Sequence, residues 1–255
     1  MKRVLYLLLL LPTVLLAQTK EHFLSDFLLG SQARQENVLH KFNHFDFSEI
    51  WLRTNNVQIV GIIGSDYERI RIKLLAVRKS QDDPDLYFVE GKSNVKGNIC
   101  DFNGVIKLIE VKEMNQLHVG VDSEFKDRGI KSEGILVATY EFKEERSQSH
   151  SGIFQGKLYT KWFVDSNNQI KYDDIQLYSD GYMNNAFIGI WKSYATNDIK
   201  ICHWGDFRVP DVKPGFDIGA GAFSPDKKYD DYGWAHYQKA WVDGNKEAQK
   251  EEREQ

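Results

Sequence analysis

Apolar and polar residues alternate with a period of two over most of the chain between Val57 and Val209. The clearest case is an apolar stretch from Val57 to Ile63, a turn at 64–66 and an alternating stretch at 69–74. Because successive side chains of a strand point to opposite faces, such a stretch has a core face and a solvent face. Strand-like stretches also cover residues 86–95, 99–111, 135–142, 153–164, 170–178, 187–194 and 199–209. This rhythm predicts roughly nine or ten antiparallel strands, joined mainly as consecutive hairpins.

A Phe-x-Gly unit, followed two residues after the glycine by a large apolar side chain, occurs at 102–106, 154–158 and 187–191. The spacing places the three residues on one strand face, and glycine leaves room where strands coil tightly. We therefore predict an all-β, mainly antiparallel fold: an up-and-down β-barrel of roughly eight to ten strands, with a β-sandwich as the alternative. Its general shape is similar to that of lipocalin and avidin-type barrels, although no residue motif of those families is present.

The segments on either side of the predicted barrel differ in character from it. Residues 18–56 read as a helical or irregular lead-in, and the barrel is assigned to 57–209. Prolines and glycines make 210–231 irregular. Residues 232–244 are predicted as a C-terminal helix, which would plug one barrel end or lie against its outside, and 245–255 as a charged tail.

The N-terminal residues 1–17 have the composition of a signal peptide. Lys2 and Arg3 precede an apolar run from Val4 to Leu16, and Ala17 offers a small residue at the cleavage position. This predicts export to the periplasm or the extracellular space, with no integral membrane segment after cleavage. No cysteine stands directly after the apolar run, so a lipid anchor is not indicated. An uncleaved N-terminal anchor is the alternative.

The charge balance bears on possible partners. Lys2 and Arg3 are two of the 33 basic residues, and none of the 37 acidic residues lies within 1–17, so the remaining chain carries 31 basic and 37 acidic residues. A mildly acidic chain is a poor candidate for binding nucleic acid. The two cysteines, Cys100 and Cys202, would form a disulfide in an oxidising compartment, or else remain separate buried thiols.

Aromatic side chains suggest a ligand site. In the stretch 170–178, alternation would put Tyr172, Asp174 and Tyr178 on one strand face, where rings could stack on a sugar-like or amphipathic ligand. Trp191 and Trp204 belong to a group of tryptophans in the second half of the chain and complete the predicted ligand-binding set. The alternative is an ordinary outer face with paired tyrosines.

No phosphate loop, dinucleotide fingerprint, nucleophile elbow or paired-cysteine metal motif is present in the sequence, and we assign no catalytic residue, cofactor or metal site. The leading hypothesis is a non-catalytic protein that binds a small apolar or carbohydrate ligand. A secreted glycan hydrolase is the second, with Asp174 and Asp206 as its acid pair. The third is an envelope interaction or structural module, which predicts a filled barrel and an exposed apolar patch.

Overall fold

The computed structural model describes residues 32–254, so the predicted signal peptide lies outside the described residues. Within this range the chain forms nine strands. They are β1 (Ile59–Ile63), β2 (Glu68–Lys79), β3 (Leu86–Val95), β4 (Asn98–Glu113), β5 (Ser132–Glu144), β6 (Gly152–Val164), β7 (Ile170–Tyr172), β8 (Asn184–Ser193) and β9 (Ile199–Asp206). Of the helices in the described part of the chain, none is both long and apolar enough to cross a membrane.

The strands form one closed antiparallel barrel. The first six strands pair in sequence order, β6 pairs next with β8, β8 with β9, and β9 with β1, which closes the sheet. The short β7 lies outside this ring and pairs with the C-terminal end of β6, beyond the part that pairs with β8. The prediction of an up-and-down barrel is therefore confirmed, with eight strands in the ring and one outside.

The Phe-x-Gly units line the inside of the barrel. Phe102, Phe154 and Phe187 are each at most 3% exposed and lie in the same core cluster. Gly156 of β6 lies directly opposite Gly189 of β8, and a Cβ at either would overlap the backbone of the neighbouring strand. Glycine therefore lets two strands approach closely while the aromatic rings fill the space above them.

Stacked aromatic rings fill the centre of the barrel. Trp204 stacks on Phe187 with ring centroids 4.6 Å apart, and Tyr140 meets both rings edge-on at 5.2–5.3 Å. Phe102 and Phe142 stack in the same way at 5.1 Å. The middle of the barrel is consequently a packed core and not a channel.

Two short helices near the N-terminus close one end of the barrel. They are α1 (Leu39–Phe42) and α2 (Ser48–Leu52). Phe42 of α1 packs on Trp162 with ring centroids 4.6 Å apart. Trp51 of α2 donates its indole N–H to Thr160 Oγ1 at 3.0 Å, deep inside β6. We call this the plugged end.

The C-terminal segment lies against the outside of β1 and β2. It contains a 3₁₀ helix (Lys227–Tyr232), α3 (Ala235–Tyr237), a π-helical turn (Gln238–Val242) and α4 (Lys246–Glu254). Trp234 packs in a cluster with Val60 and Ile62 of β1 and donates its indole N–H to the Tyr67 carbonyl at 2.8 Å. Of the two placements expected for the C-terminal helix, the structure has the one outside the barrel.

Residues 246–254 of the segment predicted as a charged tail form helix α4. The side chain of Asn245 accepts a hydrogen bond from the Ala248 backbone N–H at 3.0 Å and so begins the helix. Glu252 binds Arg69 and Arg71 on β2 through charged hydrogen bonds. Contacts between residues about 180 positions apart hold this helix against β2. The local sequence composition does not predict such contacts.

Candidate functional site

The end of the barrel opposite the plug is open. Here β1 meets β2, β3 meets β4, β5 meets β6, and β8 meets β9, each through a turn or short loop. An open cavity of about 870 Å³ lies at these strand ends and extends to Lys213 after β9, and we call it the mouth cavity. Its apolar walls include Ile63, Ile70, Val95, Phe154, Trp191 and Ile201. A volume of this size suits a small organic ligand.

Glu144 lines the mouth cavity. It is the last residue of β5 and follows Tyr140 and Phe142 at intervals of two, so its side chain shares their inward face. Its Oε1 accepts a hydrogen bond from Ser93 Oγ. Its Oε2 accepts from the Gly152 backbone N–H at 2.7 Å and from the Trp191 indole N–H at 2.8 Å. The residue is only 5% exposed, so the site contains a buried carboxyl group.

Opposing effects act on the protonation of this carboxyl group. Burial raises the pKa of Glu144, because a charge is less stable away from water, and the hydrogen bonds from Ser93, Trp191 and Gly152 partly offset that rise. All three donors are electrically neutral. Within residues 32–254, no lysine, arginine or histidine forms an ion pair with Glu144.

The lysines at the cavity entrance, in contrast, have partners. Lys96 forms an ion pair with Glu68 at 2.8 Å. The ammonium group of Lys200 lies 5.9 Å from the centre of the Trp191 indole ring, within the range of a cation–π contact. Lys213 lies similarly over Tyr67, at 5.4 Å. The entrance is thus mixed in charge, whereas the inner carboxyl group lacks a cation among the described residues.

A second depression runs along the outside of the barrel, between the turn after β7 and the C-terminal segment. It has a volume of about 850 Å³, and we call it the outer groove. Tyr178, which is 80% exposed, lies there with Phe207 and Trp241. Arg208 also lines it, but its guanidinium group pairs with Asp217 and donates to the carbonyls of residues 219–221. Its hydrogen bonds thereby hold the adjoining loop.

The five predicted ligand-binding residues lie in separate places. Only Trp191 lines the mouth cavity. Trp204 is 2% exposed inside the packed core, and Tyr172 is buried at the plugged end. Asp174 pairs with Arg53 near the surface at 2.6 Å, and Tyr178 lines the outer groove.

The expectation that Tyr172, Asp174 and Tyr178 share a strand face is wrong. Strand β7 ends at Tyr172, and the Asp173 side chain then accepts a hydrogen bond from the Ile175 backbone N–H at 3.0 Å. This side-chain turn ends the alternation, because the backbone no longer continues the pleat. Tyr172 and Tyr178 consequently differ in exposure from 4% to 80%.

Asp206 belongs to a polar network at the plugged end. Its Oδ2 accepts hydrogen bonds from Thr54 Oγ1 at 2.7 Å, Asn185 Nδ2 at 2.7 Å and Tyr172 Oη at 3.0 Å. Burial raises the pKa of Asp206 to about 7 in spite of these donors. Asp206 lines neither the mouth cavity nor the outer groove, and Asp174 is held by Arg53. The structure therefore gives no support to these two residues as the acid pair of a hydrolase.

A second buried polar cluster lies on the outer face of β5 and β6, and sequence reasoning missed it. Glu133 is 1% exposed and accepts from the backbone N–H of His118 at 2.6 Å, and it contacts the His118 ring at 2.7 Å. Burial first, and the nearby Glu133 second, raise the pKa of Asp173 to about 7. The contacts of Glu133 with His118 anchor the long segment between β4 and β5.

The two cysteines are free buried thiols, which is the second of the two expected arrangements. Burial raises the pKa of both thiols, and the charge of Glu144 adds to the rise for both. Among residues 32–254, no group of three or more histidine, cysteine, aspartate or glutamate side chains is placed to hold a metal ion.

The fold and site define a closed eight-stranded antiparallel barrel with a packed centre, one plugged end and one open end. Comparison with known proteins found no matching family model, no matching curated protein and no matching solved structure.

Proposed function

We propose that this protein binds a small, mainly apolar ligand in the mouth cavity and acts by binding, not by catalysis. The observation that carries the proposal is the open volume of about 870 Å³ between the strand ends, walled by aliphatic and aromatic side chains. The packed aromatic core beneath it sets the depth of the site. A ligand entering there would exchange water contacts for apolar ones, which is favourable in proportion to the area covered.

The form of the barrel interior favours this function over a purely structural module. A structural module predicts an interior that is filled throughout. Here the centre is filled, but the space between the strand ends is not. The outer groove is a second candidate site for a sugar-like ligand, because Tyr178 presents an exposed ring there beside Trp241.

Binding of the neutral fluorescent probe N-phenyl-1-naphthylamine tests the proposal. We expect a saturable rise in fluorescence with the wild-type protein. Val95→Trp, which places a large ring in the cavity wall at the end of β3, should weaken binding by about tenfold or more. Phe88→Trp is the matched control, because Phe88 lies on the same strand and is 48% exposed outside the cavity.

The result also separates the two depressions on the surface. Tyr178→Ala should leave probe binding unchanged if the mouth cavity is the site. Probe binding that is insensitive to Val95→Trp and lost in Tyr178→Ala would move the site to the outer groove. Absence of saturable binding to the wild-type protein would contradict the proposal itself.

We also propose that the chain is exported, on the strength of the basic, apolar and small residues of segment 1–17. N-terminal sequencing of the protein recovered from its producing cell is expected to begin at Gln18. A mature chain that begins at Met1 would contradict cleavage.

A further inference from the structure

We propose that the ligand of the mouth cavity carries a protonated amine, which binds to Glu144 while its apolar body fills the cavity. This inference rests on the proposed function and adds the chemical class of the ligand. It names Glu144 as the residue that decides specificity.

The carboxylate of Glu144 has an unused acceptor position. A carboxylate offers about four acceptor positions. Three are occupied, one on Oε1 by Ser93 and two on Oε2 by Gly152 and Trp191. Oε1 can therefore accept a further hydrogen bond from a donor in the cavity.

The buried charge of Glu144 also favours a cationic ligand. Removing a carboxylate from water is costly unless a cation or strong donors replace its hydration. Glu144 is 5% exposed and its three partners are neutral dipoles. An ammonium group would supply the missing positive charge and a charge-assisted hydrogen bond, which is stronger than a neutral one.

Aromatic side chains share the cavity with the carboxyl group of Glu144. The rings of Trp191 and Phe154 line the same cavity. Aromatic faces attract cations as well as apolar groups, and both effects strengthen where water is excluded. An amine on an apolar body therefore matches the carboxyl group and its aromatic surroundings together.

The opposite polarity, a ligand anion held by lysines at the entrance, fits the structure less well. Lys96 is paired with Glu68, and the Lys200 and Lys213 ammonium groups lie over aromatic rings. Lys96 is also highly exposed, with 63% of its side chain accessible, so solvent weakens its pull on a ligand. The buried inner carboxyl group is the stronger determinant.

Titration calorimetry with octylamine, octanol and octanoate tests this inference, because the three probes share an eight-carbon body and differ only in the head group. At pH 7 the amine is protonated, as lysine is. We expect octylamine to bind the wild-type protein about tenfold more tightly than octanol, and octanoate to bind most weakly. Glu144→Gln should remove the preference for the amine, measured as the ratio of the octylamine and octanol affinities.

Glu141→Gln is the matched control. Glu141 lies on the same strand, is partly exposed and pairs with Lys143 on the outside of the barrel. It should keep the wild-type preference for the amine. If Glu144→Gln does not fold, the three probes on the wild-type protein still decide the matter.

Equal affinity for octylamine and octanol, or tightest binding of octanoate, would overturn the inference. So would a Glu144→Gln protein that retains the preference for the amine. In each of these cases the neutral probe could still bind in the mouth cavity, and the proposed function would stand. Absence of binding by the neutral fluorescent probe and by all three eight-carbon compounds would instead overturn the proposed function.

Discussion

Replacing Glu252 by glutamine should release the C-terminal helix α4 from the barrel. Glu252 Oε1 accepts from Arg69 and Arg71, each at 2.9 Å, and Oε2 accepts from Arg69 at 2.6 Å. His236 adds a contact to Oε1 at 2.7 Å. The side chain of Glu252 is only 2% exposed, so this is a buried ion-pair network and not a surface pair.

The magnitude follows from the protonation of Glu252. Burial alone would raise its pKa, but the hydrogen bonds and charges of Arg69, His236 and Arg71 outweigh burial and lower the pKa from 4.5 to about 2. A shift of that size corresponds to about 3 kcal/mol of folding stability, which we reduce to about 2 kcal/mol because 25% of the Arg71 side chain is accessible to solvent. Because the folded-state pKa is lowered, this contribution is complete above pH 4.5 and is lost as the pH falls towards 2.

His236 has the opposite sign. Its hydrogen bond to Glu252 is the main reason that its pKa is raised above 6.5. Its contribution is therefore complete below pH 6.5 and is lost as the pH rises through the raised value. Both contributions are present at pH 6, which is the condition for the comparison.

The assay is urea unfolding at pH 6, followed by tryptophan fluorescence, with a parallel series from pH 6 down to pH 2. We expect Glu252→Gln to lose about 2 kcal/mol and to show a shallower loss of stability below pH 4.5. Glu251→Gln is the control, because Glu251 is 53% exposed and contacts His236 at the outer side of the network. Two variants of equal stability, within about 0.5 kcal/mol, would refute the reasoning.

Two further predictions concern the barrel itself. Gly91→Ala should destabilise the protein by about 2 kcal/mol or more in urea unfolding, because its Cβ would lie 2.5 Å from the Lys73 carbonyl oxygen and overlap the Phe102 ring. An unchanged urea midpoint of unfolding would contradict this packing. Burial raises the pKa of Asp206 to about 7, so ionising this group in the folded state is unfavourable and stability falls as the pH rises from 4 to 8. Asp206→Asn should make that fall shallower. An Asp206→Asn protein that keeps the wild-type dependence of stability on pH would count against this account.

Strand positions could be predicted because alternation is a local property of the sequence. The hairpin of β1 and β2 and that of β3 and β4 lie where the period of two places them. The inward phenylalanines, such as Phe154, followed from the same period together with glycine spacing. Strand β7 is shorter than predicted because the Asp173 side chain forms a turn that competes with the pleat.

The residues predicted to form one ligand site lie in separate places, because the prediction used aromatic content and not position along the barrel axis. Trp204 and Trp191 are both inward-facing, yet only Trp191 lies near the open end. Glu144 was missed although a signal was present. It continues the inward face of Tyr140 and Phe142 at a spacing of two, and a charged residue on an apolar face is the feature to look for.

The sequence by itself determined an antiparallel β architecture, because a period of two with glycine beneath aromatic residues favours a curved sheet with one apolar face. It left open whether that sheet closes into a barrel or forms a sandwich. It did not determine which end of that sheet would be open. The tertiary structure decided this, because Phe42 and Trp51 enter one end of the barrel from short helices. No sequence pattern links those helices to that end. The buried surroundings of Glu144 arise in the same way, since Ser93, Gly152 and Trp191 come from three other strands that only the closed barrel brings together.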